Sequence, residues 1–585
     1  MAIRKAIVLA AGFGTRLRPL TISRPKPLLP IMGEPMLARM LDMLVSWGVD
    51  DIKVNAHHHA GQIERFVDEY CGERGRDDGR GVRISVSRED AILGTGGALR
   101  PLADWIGDEP FWLVNGDVVA EDLDPEPIEA AFEKGGRFAS CWMSEDFGPR
   151  TIEADPEGRV CNWRSDDAGC AGTYTYCGVA LLSPDVVRYL PPPRKADGDR
   201  GEGFCSIVEA YESAMMTDAR FVVGVQEPDA CWCDAGTIGA FKELNSEAMS
   251  PALFGEQRLD RLVAALGWKD GETLAEFIDA RGSDRMFYRL YRDGSHSGEG
   301  SSDALAVVYE LTRKENARFA SITRYLESHG VKVPRLLADL PEQNAYATEF
   351  VPGSTLEQLA NAKGADLVKL YLPVVKVLKS LWGIPADAPD LPSLEPAFDA
   401  GTYAWEIDFF ENECVKGRYG LDAIPDDARR ELERISDALV NEPASLVHRD
   451  FQSSNLLYPK GESTVPYLVD YQGLRPGAAA YDVASLLYDP YVPMEDTDRK
   501  MLTDLICREG AAPSPDAVKV AAVQRLCQVI GAFCRLGRVG QPRFERYVPK
   551  ALHNLHHAVH EADMPAMAAF SHTLMEREKL CGGRH

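Results

Sequence analysis

Short apolar runs alternate with stretches of helical periodicity from residue 5 to about residue 225. The strands predicted from these runs are 6–9, 52–56, 82–86, 111–114, 138–142 and 221–225. Such alternation is typical of an α/β fold in which a mostly parallel, Rossmann-like sheet has helices on both faces. Ligands of these sheets bind at the carboxyl ends of the strands, so the residues that follow each strand are the first candidates for function.

A different pattern begins after residue 255. A few strands surround one predicted helix, 315–327, and these strands are 287–291, 304–311 and 345–351. After Pro352 and Gly353 the periodicity predicts mainly helices, and Ser354 and Glu357 have the spacing of a capping box where this helical part begins. A small strand-rich lobe followed by a large helical lobe predicts a bilobal α+β domain.

Length and charge limit the classes of protein that these patterns allow. At 585 residues the chain is too long for one hydrophobic core, and the change of pattern predicts one domain at 1–250 and another at 255–585. The content of 45% apolar and 26% charged residues is that of a soluble globular enzyme. A formal net charge of −26 argues against nucleic acid or an anionic membrane as a partner.

Cysteine usage and the N-terminus indicate a compartment. The 13 cysteines show no regular framework, which is typical of reduced thiols rather than disulfides. The first apolar run ends at Gly12, and it is too short for a signal peptide or a membrane span. We therefore expect a cytoplasmic protein.

The stretch from residue 9 to residue 30 reads LAAGFGTRLRPLTISRPKPLLP and joins the first predicted strand to a helix. Gly12 and Gly14 allow backbone N–H groups to approach an anion, because a Cβ at either position would stand in the way. Arg16 adds a fork of donors suited to phosphate oxygens, and Lys26, between two prolines, adds a second cation. The stretch predicts a phosphate-binding loop, although a glycine-rich turn alone is weak evidence.

Further stretches are predicted at the same edge of the sheet. Residues 93–98 contain three glycines, which would let a flat base lie against the backbone. Asp117 ends one apolar strand and Asp234 stands in a second segment, so two carboxylates are expected to gather there as a site for Mg²⁺ and phosphate oxygens. Taken singly, Asp117 has the alternative of a turn residue and Asp234 that of a helix N-cap.

The loop, the NGD triplet ending at Asp117 and the WCDAGT segment around Asp234 together resemble the signature of sugar-phosphate nucleotidylyltransferases. Within that family the chain is most similar to uridylyltransferases of N-acetylmuramate 1-phosphate (MurU-like). Such enzymes catalyse in-line attack of a sugar 1-phosphate oxygen on the α-phosphorus of a nucleoside triphosphate, with pyrophosphate as the leaving group.

The resemblance implies a role for each of several residues. Arg16 and Lys26 would be catalytic, and Asp117 and Asp234 would hold the magnesium ion. The residues implied to bind the nucleotide are Gly12, Gly14, Thr15, Arg16, Gly96 and Gly97. The residues implied to bind the sugar phosphate are Lys26, Asn115, Arg164 and Gly178.

The second half contains a separate set of oxygen-bearing residues. Residues 446–455 read LVHRDFQSSN, and Asp470 stands twenty positions after Asp450. Phosphoryl transfer needs a carboxylate that orients and deprotonates the acceptor hydroxyl, together with oxygen ligands for Mg²⁺. Asp450, Asn455 and Asp470 would supply this set.

With the YDVASLLYD run that follows, this segment resembles the aminoglycoside-phosphotransferase and choline-kinase superfamily. It is most similar to anomeric kinases of N-acetylmuramate and N-acetylglucosamine (AmgK-like). The resemblance implies that Asp450 is the catalytic base and that Asn455 and Asp470 are magnesium ligands. His448 and Asp482 would brace the catalytic loop.

The two activities fit one another, because an anomeric kinase makes the substrate of a sugar-1-phosphate nucleotidylyltransferase. We therefore expect a bifunctional amino-sugar salvage enzyme of peptidoglycan recycling that uses ATP, UTP and Mg²⁺. Its partners would be small-molecule sugars and nucleotides, with no nucleic acid and no membrane. One alternative is choline kinase joined to CTP:phosphocholine cytidylyltransferase. Another is that one half is a non-catalytic regulatory module, which the lack of a lysine in the predicted strand 304–311 favours for the kinase.

Overall fold

The computed structural model describes residues 3–74, 81–134, 136, 138–146, 148–193, 200–218, 220–227, 230–246, 249–278, 285–292, 303–460, 465–508, 513–538 and 542–582. The chain divides into two compact units. The first unit comprises Met1–Arg261 and Lys269–Tyr288, and the second comprises Leu262–Trp268 and Arg289–His585. Residues between 255 and 288 are thus shared between the units, and the predicted domain boundary at 250 and 255 stays a prediction.

The first unit contains most of the predicted α/β elements. Its strands are β1 (Lys5–Leu9), β2 (Pro30–Ile31), β3 (Glu34–Pro35), β4 (Asp51–Ala56), β5 (Arg83–Arg88), β6 (Phe111–Asn115), β7 (Val118–Glu121), β8 (Ala139–Ser144), β9 (Ile152–Ala154), β10 (Val160–Asn162), β11 (Thr173–Leu182), β12 (Val222–Val225), β13 (Cys231–Asp234) and β14 (Thr273–Ile278). Its helices are α1 (Met36–Ser46), α2 (Ala60–Arg74), α3 (Gly94–Gly97), α4 (Ala103–Ile106), α5 (Glu126–Lys134), α6 (Ile207–Asp218) and α7 (Ile238–Leu244).

The centre of this unit is a sheet in which β5, β4, β1 and β6 lie side by side and run parallel. In this register Leu9, the last residue of β1, lies opposite Asn55 of β4 and Asn115 of β6. The predicted Rossmann-like, mostly parallel sheet is therefore confirmed. Its register also places the carboxyl ends of three central strands at one edge.

Strand β11 pairs antiparallel with β6 and β8 and is absent from the sequence prediction. Gly178 stands inside it with φ of +83°, and the register with β8 shifts between Tyr176 and Ala180. A Cβ on Gly178 would lie 2.6 Å from Cγ2 of Val118, so the close approach of β7 requires glycine. A glycine at a bulge interrupts the pattern by which a strand is recognised in sequence.

Strand β1 separates two hydrophobic layers, because successive side chains of a strand point to opposite faces. Ala6 and Val8 pack in the layer that contains Leu41 of α1. Ile7 packs in the opposite layer, which contains Tyr211 of α6. Helices therefore cover both faces of the sheet, as the alternating pattern predicts.

Helix α8 (Gln257–Ala265) and strand β15 (Arg285–Arg292) have residues in both units, and the remaining elements belong to the second unit. Its strands are β16 (Ala304–Tyr309), β17 (Leu336–Leu340), β18 (Ala345–Glu349), β19 (Gly353–Thr355), β20 (Ala444–Val447), β21 (Leu456–Pro459), β22 (Tyr467–Leu468) and β23 (Arg475–Ala478). Its helices are α9 (Phe319–Ser328), α10 (Leu356–Ala360), α11 (Leu367–Tyr371), α12 (Val374–Trp382), α13 (Ala400–Phe410), α14 (Asp426–Val440), α15 (Ala479–Leu487), α16 (Asp496–Ile506), α17 (Pro515–Arg538), α18 (Val548–Glu561) and α19 (Pro565–Gly582).

The second unit begins with strands and continues with helices, as the pattern predicts. Strands β16, β18 and β17 form an antiparallel sheet, and α9 follows β16 in the chain. The capping box at α10 consists of Thr355 and Gln358, so the prediction of Ser354 and Glu357 is wrong by one residue. Strand β19 continues through Ser354 to Thr355, which is paired with Leu457 of β21, so the helix begins only after Thr355.

Helix α17 is the one helix in the described part of the chain that is long and apolar enough to cross a membrane. However, 78% of its most apolar window is buried inside the protein. Gln524 on this helix is fully buried and donates to the carboxylate of Glu406 at 2.9 Å. These are the properties of a core helix, so α17 is weak evidence for a membrane span.

Replacing Ile7 by Ala is expected to lower the free energy of unfolding of the first unit by about 2–5 kcal/mol, because it leaves a cavity at the centre of the sheet. The control is Met216→Ala, at a side chain that is 82% exposed. It should change the free energy of unfolding by less than about 0.5 kcal/mol. Urea denaturation followed by tryptophan fluorescence measures both, and equal effects would contradict the layer assignment.

Candidate active sites

A cavity of about 330 Å³ opens at the carboxyl ends of the central strands of the first unit. The ends of β1, β4 and β6 reach it at Leu9, Asn55 and Asn115. Sequence-predicted site residues among those that line it are Gly12, Gly14, Thr15, Arg16, Lys26, Asn115 and Asp117. The structure therefore brings the glycine-rich loop and the first predicted metal ligand into one cavity.

The glycine-rich loop packs closely against Lys26 because residue 14 is a glycine and has no Cβ. This residue has φ of +60°, and a Cβ on it would lie 2.8 Å from Cγ2 of Thr21 and 3.1 Å from Cβ of Lys26. The Thr21 hydroxyl donates to the carbonyl of Gly14 at 2.8 Å and holds the turn. A Cβ on Gly12 would meet nothing within 4 Å, so this glycine leaves open space on the cavity side.

The two predicted carboxylates meet through strand pairing. Asp117 follows β6 after Gly116, whose N–H donates to the carbonyl of Leu9 at 2.9 Å. Asp234 is the last residue of β13, which pairs antiparallel with β7 so that Asp234 lies opposite Val118. The pairing places Asp234 beside Asp117, although the two residues are far apart in sequence.

The ammonium group of Lys26 lies between these carboxylates. It forms an ion pair with Oδ2 of Asp117 and is 3.7 Å from Oδ1 of Asp234. Nη2 of Arg16 is 3.6 Å from the other carboxylate oxygen of Asp234. Lys26 is only 7% exposed, so contacts with protein atoms rather than with water fix the position of its side chain.

The oxygen atoms present suit a magnesium ion that binds together with a nucleotide. The side chains of Asp117 and Asp234 are 33% and 42% exposed and supply hard oxygen ligands. Among the described residues no group of three or more His, Cys, Asp or Glu side chains could hold a metal ion by itself. Mg²⁺ is commonly held by one or two carboxylates and completed by substrate phosphates and water. The donor set therefore fits Mg²⁺ shared with a triphosphate.

Asn55 and Glu89 line the same cavity and are missing from the sequence prediction. Oδ1 of Asn55 accepts the N–H of Ala10 at 2.6 Å, and its Nδ2 donates to Oε1 of Glu89 at 2.7 Å. The other carboxylate oxygen of Glu89 accepts the N–H of Leu93 at 3.1 Å. Burial raises the pKa of Glu89, and these hydrogen bonds oppose the shift. A polar residue inside the apolar strand β4 is the sequence signal that could have identified Asn55.

Gly96 and Gly97 are absent from the residues that line the cavity. A Cβ on Gly96 would lie 2.7 Å from the carbonyl oxygen of Ser206, and a Cβ on Gly97 would lie 2.6 Å from that of Gly203. These glycines thus allow α3 to pack closely on the segment before α6, while Thr95 lines the cavity. A role for Gly96 and Gly97 in nucleotide binding stays a prediction.

Gly178 and Arg164 are the remaining residues predicted to contact the sugar phosphate, and only Gly178 lies next to the cavity. A Cβ on Gly178 would lie 3.0 Å from Nδ2 of Asn115, so Gly178 lies directly behind a residue that lines the cavity. Arg164 is exposed and is absent from the lining residues. The structure therefore brings Gly178 beside the site and leaves Arg164 outside it, and the role of Arg164 stays a prediction.

Three consecutive histidines follow β4, and two of them form hydrogen bonds with the glycine-rich loop. Nε2 of His58 is hydrogen-bonded to the carbonyl of Thr21 at 2.9 Å, and Nε2 of His59 to that of Ile22 at 2.8 Å. Nδ1 of His57 is hydrogen-bonded to the carbonyl of Glu89 at 2.9 Å. Burial lowers the pKa of His58. The rings of His58 and His59 therefore brace the loop, and the ring of His57 engages the segment after β5.

In the second unit, buried carboxylates hold the predicted catalytic loop after β20. Asp482, in α15, accepts the N–H groups of His448 at 2.7 Å and of Arg449 at 3.0 Å. Asp489 accepts the N–H of Ser453 at 2.8 Å and its hydroxyl at 2.6 Å. Burial raises the pKa of Asp482 to about 7 and that of Asp489 to about 6, although these hydrogen bonds act in the opposite direction. Both ends of the loop are therefore anchored to buried side chains.

The two predicted metal ligands of this unit lie on neighbouring strand ends. The N–H of Val469 donates to the carbonyl of Asn455 at 3.0 Å, so Asp470 follows directly after the residue paired with Asn455. Nδ2 of Asn455 donates to the carbonyl of Asp450 at 2.9 Å, which directs the amide nitrogen away from a metal and leaves the oxygen as the ligand. An amide oxygen and a carboxylate fit Mg²⁺ held with nucleotide phosphates.

Both carboxylate oxygens of Asp450 are held by arginines. Nε and Nη2 of Arg449 are 3.0 and 2.9 Å from Oδ2, and Nη2 of Arg525 is 2.8 Å from Oδ1. Burial alone would raise the pKa of Asp450, but the guanidinium of Arg449 and then that of Arg525 hold it well below its ordinary value. Arg525 lies on α17, far from the motif in sequence, and nothing in the local pattern marks it.

Two family models match the chain, one in its first half and one in its second half. Residues 5–250 match the model described as "Nucleotidyl transferase", and residues 275–509 match the one described as "Phosphotransferase enzyme family". The chain therefore carries a nucleotidyl transferase domain followed by a phosphotransferase domain.

Curated relatives match the first of these domains. Mannose-1-phosphate guanylyltransferase 1 of Arabidopsis thaliana is 30% identical over 190 residues, which is 31% of this chain and 51% of the relative. The mannose-1-phosphate guanylyltransferase catalytic subunit beta of Dictyostelium discoideum is 33% identical over 40% of this chain and 61% of the relative. A UTP–glucose-1-phosphate uridylyltransferase of Synechocystis is 29% identical over 33% and 52%. The chain thus spans about half to three fifths of the length of these relatives.

Among solved structures, a UDP-glucose pyrophosphorylase complexed with UDP-glucose matches with a TM-score of 0.34 and 19% identity. The match covers 41% of this chain and 97% of that protein.

Gly14→Ala is expected to lower the free energy of unfolding of the first unit by about 1–3 kcal/mol, because the new Cβ is strained at positive φ and meets Thr21. Gly12→Ala is the matched control, and it should change the free energy of unfolding by less than about 0.5 kcal/mol because it meets no protein atom. Urea denaturation distinguishes the two variants. A loss of stability in Gly12→Ala as large as in Gly14→Ala would contradict this account of the loop.

Asp482→Asn is expected to lower the free energy of unfolding of the second unit by about 1–3 kcal/mol, because the amide nitrogen cannot accept one of the two backbone N–H groups. Asp516→Asn, at a side chain that is 90% exposed, is the control and should stay within about 0.5 kcal/mol. Calorimetry of the full chain measures both. An unchanged transition in Asp482→Asn would show that the loop does not depend on this carboxylate.

Proposed function

We propose that this chain, in which a nucleotidyl transferase domain precedes a phosphotransferase domain, is a bifunctional enzyme that converts a free amino sugar into its UDP derivative. The observation that carries the first activity is the position of Lys26, which lines the cavity of the glycine-rich loop together with Asp117 and also approaches Asp234. N-acetylmuramate or N-acetylglucosamine as the sugar, and UTP as the nucleotide, are supported by the motif resemblance. The named relatives are guanylyltransferases of mannose 1-phosphate and a UTP–glucose-1-phosphate uridylyltransferase.

In the first unit the protein would position two anions rather than supply a strong base, since the attacking sugar phosphate is already ionised. The backbone of the glycine-rich loop and Arg16 would hold the triphosphate, and Lys26 would neutralise charge on the reacting phosphates. Asp117 and Asp234 would hold Mg²⁺, which when bound supplies positive charge to the α-phosphate oxygens. A sugar-phosphate oxygen forms the new bond to the α-phosphorus, the bond to the β-phosphate oxygen breaks, and pyrophosphate leaves.

In the second unit Asp450 would accept the proton of the anomeric hydroxyl as that oxygen bonds to the γ-phosphorus of ATP. The bond between the γ-phosphorus and the β-phosphate oxygen breaks, and ADP leaves with the electron pair. Asn455 and Asp470 would hold Mg²⁺ against the ATP phosphates. His448, which is hydrogen-bonded to the carbonyl of Val469 at 2.9 Å, would keep the catalytic loop against the metal-binding segment.

The direct test is to incubate the full chain with ATP, UTP, Mg²⁺ and either amino sugar and to identify the products by mass spectrometry. The corresponding UDP-sugar and ADP are expected, and chelation of the metal should stop both steps. Absence of a UDP-sugar with both sugars would refute the assignment. Formation of a CDP derivative from CTP and choline would instead support the choline-kinase alternative.

Two variants separate the half-reactions. Asp450→Asn removes the general base, so it should lose sugar-dependent ATP consumption by roughly a hundredfold or more and still convert supplied sugar 1-phosphate and UTP into UDP-sugar. Asp234→Asn should accumulate sugar 1-phosphate and fail to make UDP-sugar. If either variant lost both reactions, or neither, the division of activities between the units would be wrong.

A further inference from the structure

Arg525 is an unusual residue for the interior of a helical core. It is 3% exposed on α17, its Nη2 donates to Oδ1 of Asp450, and its Nη1 donates to Gln528. Its Nε is buried without a hydrogen-bond partner among the described residues. Removing a guanidinium from water and leaving one donor unpaired costs stability, so an arginine is not the side chain that packing alone would favour here.

The surroundings of Arg525 hold the guanidinium in one place. The ring of Tyr481 lies 5.9 Å from its central carbon, and the hydroxyl of this tyrosine donates to Glu406 at 2.8 Å. Glu406 is buried, and it also accepts from Gln524, the neighbour of Arg525 on α17, at 2.9 Å. The helix, the tyrosine and the glutamate together form a rigid support behind Asp450.

The two arginines restrict Asp450 in a way that neither could alone. Arg449, the residue directly before Asp450, binds Oδ2, and Arg525 binds Oδ1 from a position 75 residues away. With one oxygen fixed the carboxylate could still turn about its own bonds, whereas with both fixed its plane is set. The direction of the lone pairs that remain for an acceptor hydroxyl is then set as well.

We infer that Arg525 is a positioning residue of the phosphotransferase reaction, which orients the carboxylate of Asp450 toward the acceptor hydroxyl from behind the catalytic loop. This inference rests on the proposed function, because it takes Asp450 as the group that receives the acceptor proton. In this role Arg525 acts through Asp450 and needs no contact with either substrate. Its loss should therefore reduce the rate of the chemical step and leave the binding of ATP and sugar nearly unchanged.

Arg525→Ala in the full chain tests this inference. We expect kcat for sugar-dependent ATP consumption to fall by roughly tenfold to a hundredfold, because a small misplacement of a reacting group costs that much. KM for ATP and for the sugar should stay within about twofold. Added guanidinium chloride at millimolar concentration should recover part of kcat by occupying the space of the lost side chain, and urea, which is neutral and of similar shape, should not.

The matched control is Arg499→Ala. Arg499 is also buried in the second unit, where its Nε donates to the carbonyl of Leu487 at 3.1 Å, and it does not contact Asp450. Its loss should lower the melting temperature, with kcat of the folded protein within about twofold of wild type and no recovery by guanidinium.

Several outcomes would overturn the inference. These are a kcat of Arg525→Ala no lower than that of the control, a raised KM for the sugar at unchanged kcat, or no recovery by guanidinium in a protein that melts normally. If Arg525→Ala does not fold, Arg525→Lys decides the question, since it keeps the charge and loses the planar fork. A lower kcat at unchanged KM is then expected, and a wild-type kcat would refute the role. A wild-type chain that consumes no ATP with either sugar would refute the proposed function itself.

Discussion

The contact of one buried ammonium group with two carboxylates organises the cavity of the first unit. Asp117 and Asp234 carry like charges, and Lys26 between them offsets the repulsion that would otherwise oppose their approach. The position of Lys26 depends in turn on the left-handed turn at Gly14, where any Cβ would collide with Thr21. The ligand site proposed for phosphate and Mg²⁺ thus rests on a glycine, a lysine and a strand pairing that all act at the same edge of the sheet.

In the second unit, arginines rather than a lysine hold the carboxylate of the predicted catalytic residue. Asp450 is fixed by guanidinium groups at both oxygens. The loop around it donates backbone N–H hydrogen bonds to the buried carboxylates of Asp482 and Asp489. Buried charges cost free energy unless they are paired, and here nearly every oxygen has a donor. Both units therefore place a cationic group against the carboxylate of the predicted site, an ammonium group in the first and guanidinium groups in the second. Only the second adds backbone N–H groups bound to buried carboxylates around it.

Local pattern predicted some features well and others poorly. Strands β1 and β6 at the centre of the sheet contain continuous apolar runs, and their existence was predictable because burial on both faces demands such residues. Strand β11 was missed because Gly178 and its bulge interrupt the alternation. The capping box lies one residue later than predicted because strand β19 continues to Thr355, and this pairing with β21 is a tertiary contact that overrides the local spacing.

The amino-acid sequence by itself determined the alternation of the central strands with helices, the glycine-rich loop and the residue types that suit phosphate and Mg²⁺, because these depend on neighbours in the chain. It could not determine that Asp234 lies opposite Val118, that Gly96 and Gly97 pack against a distant segment, or that Arg525 supports Asp450. Each of these contacts joins residues far apart in sequence, and only the packed fold brings them together. Glu89 and Asn55 belong to the same group, since their hydrogen bonds link loops that follow different strands.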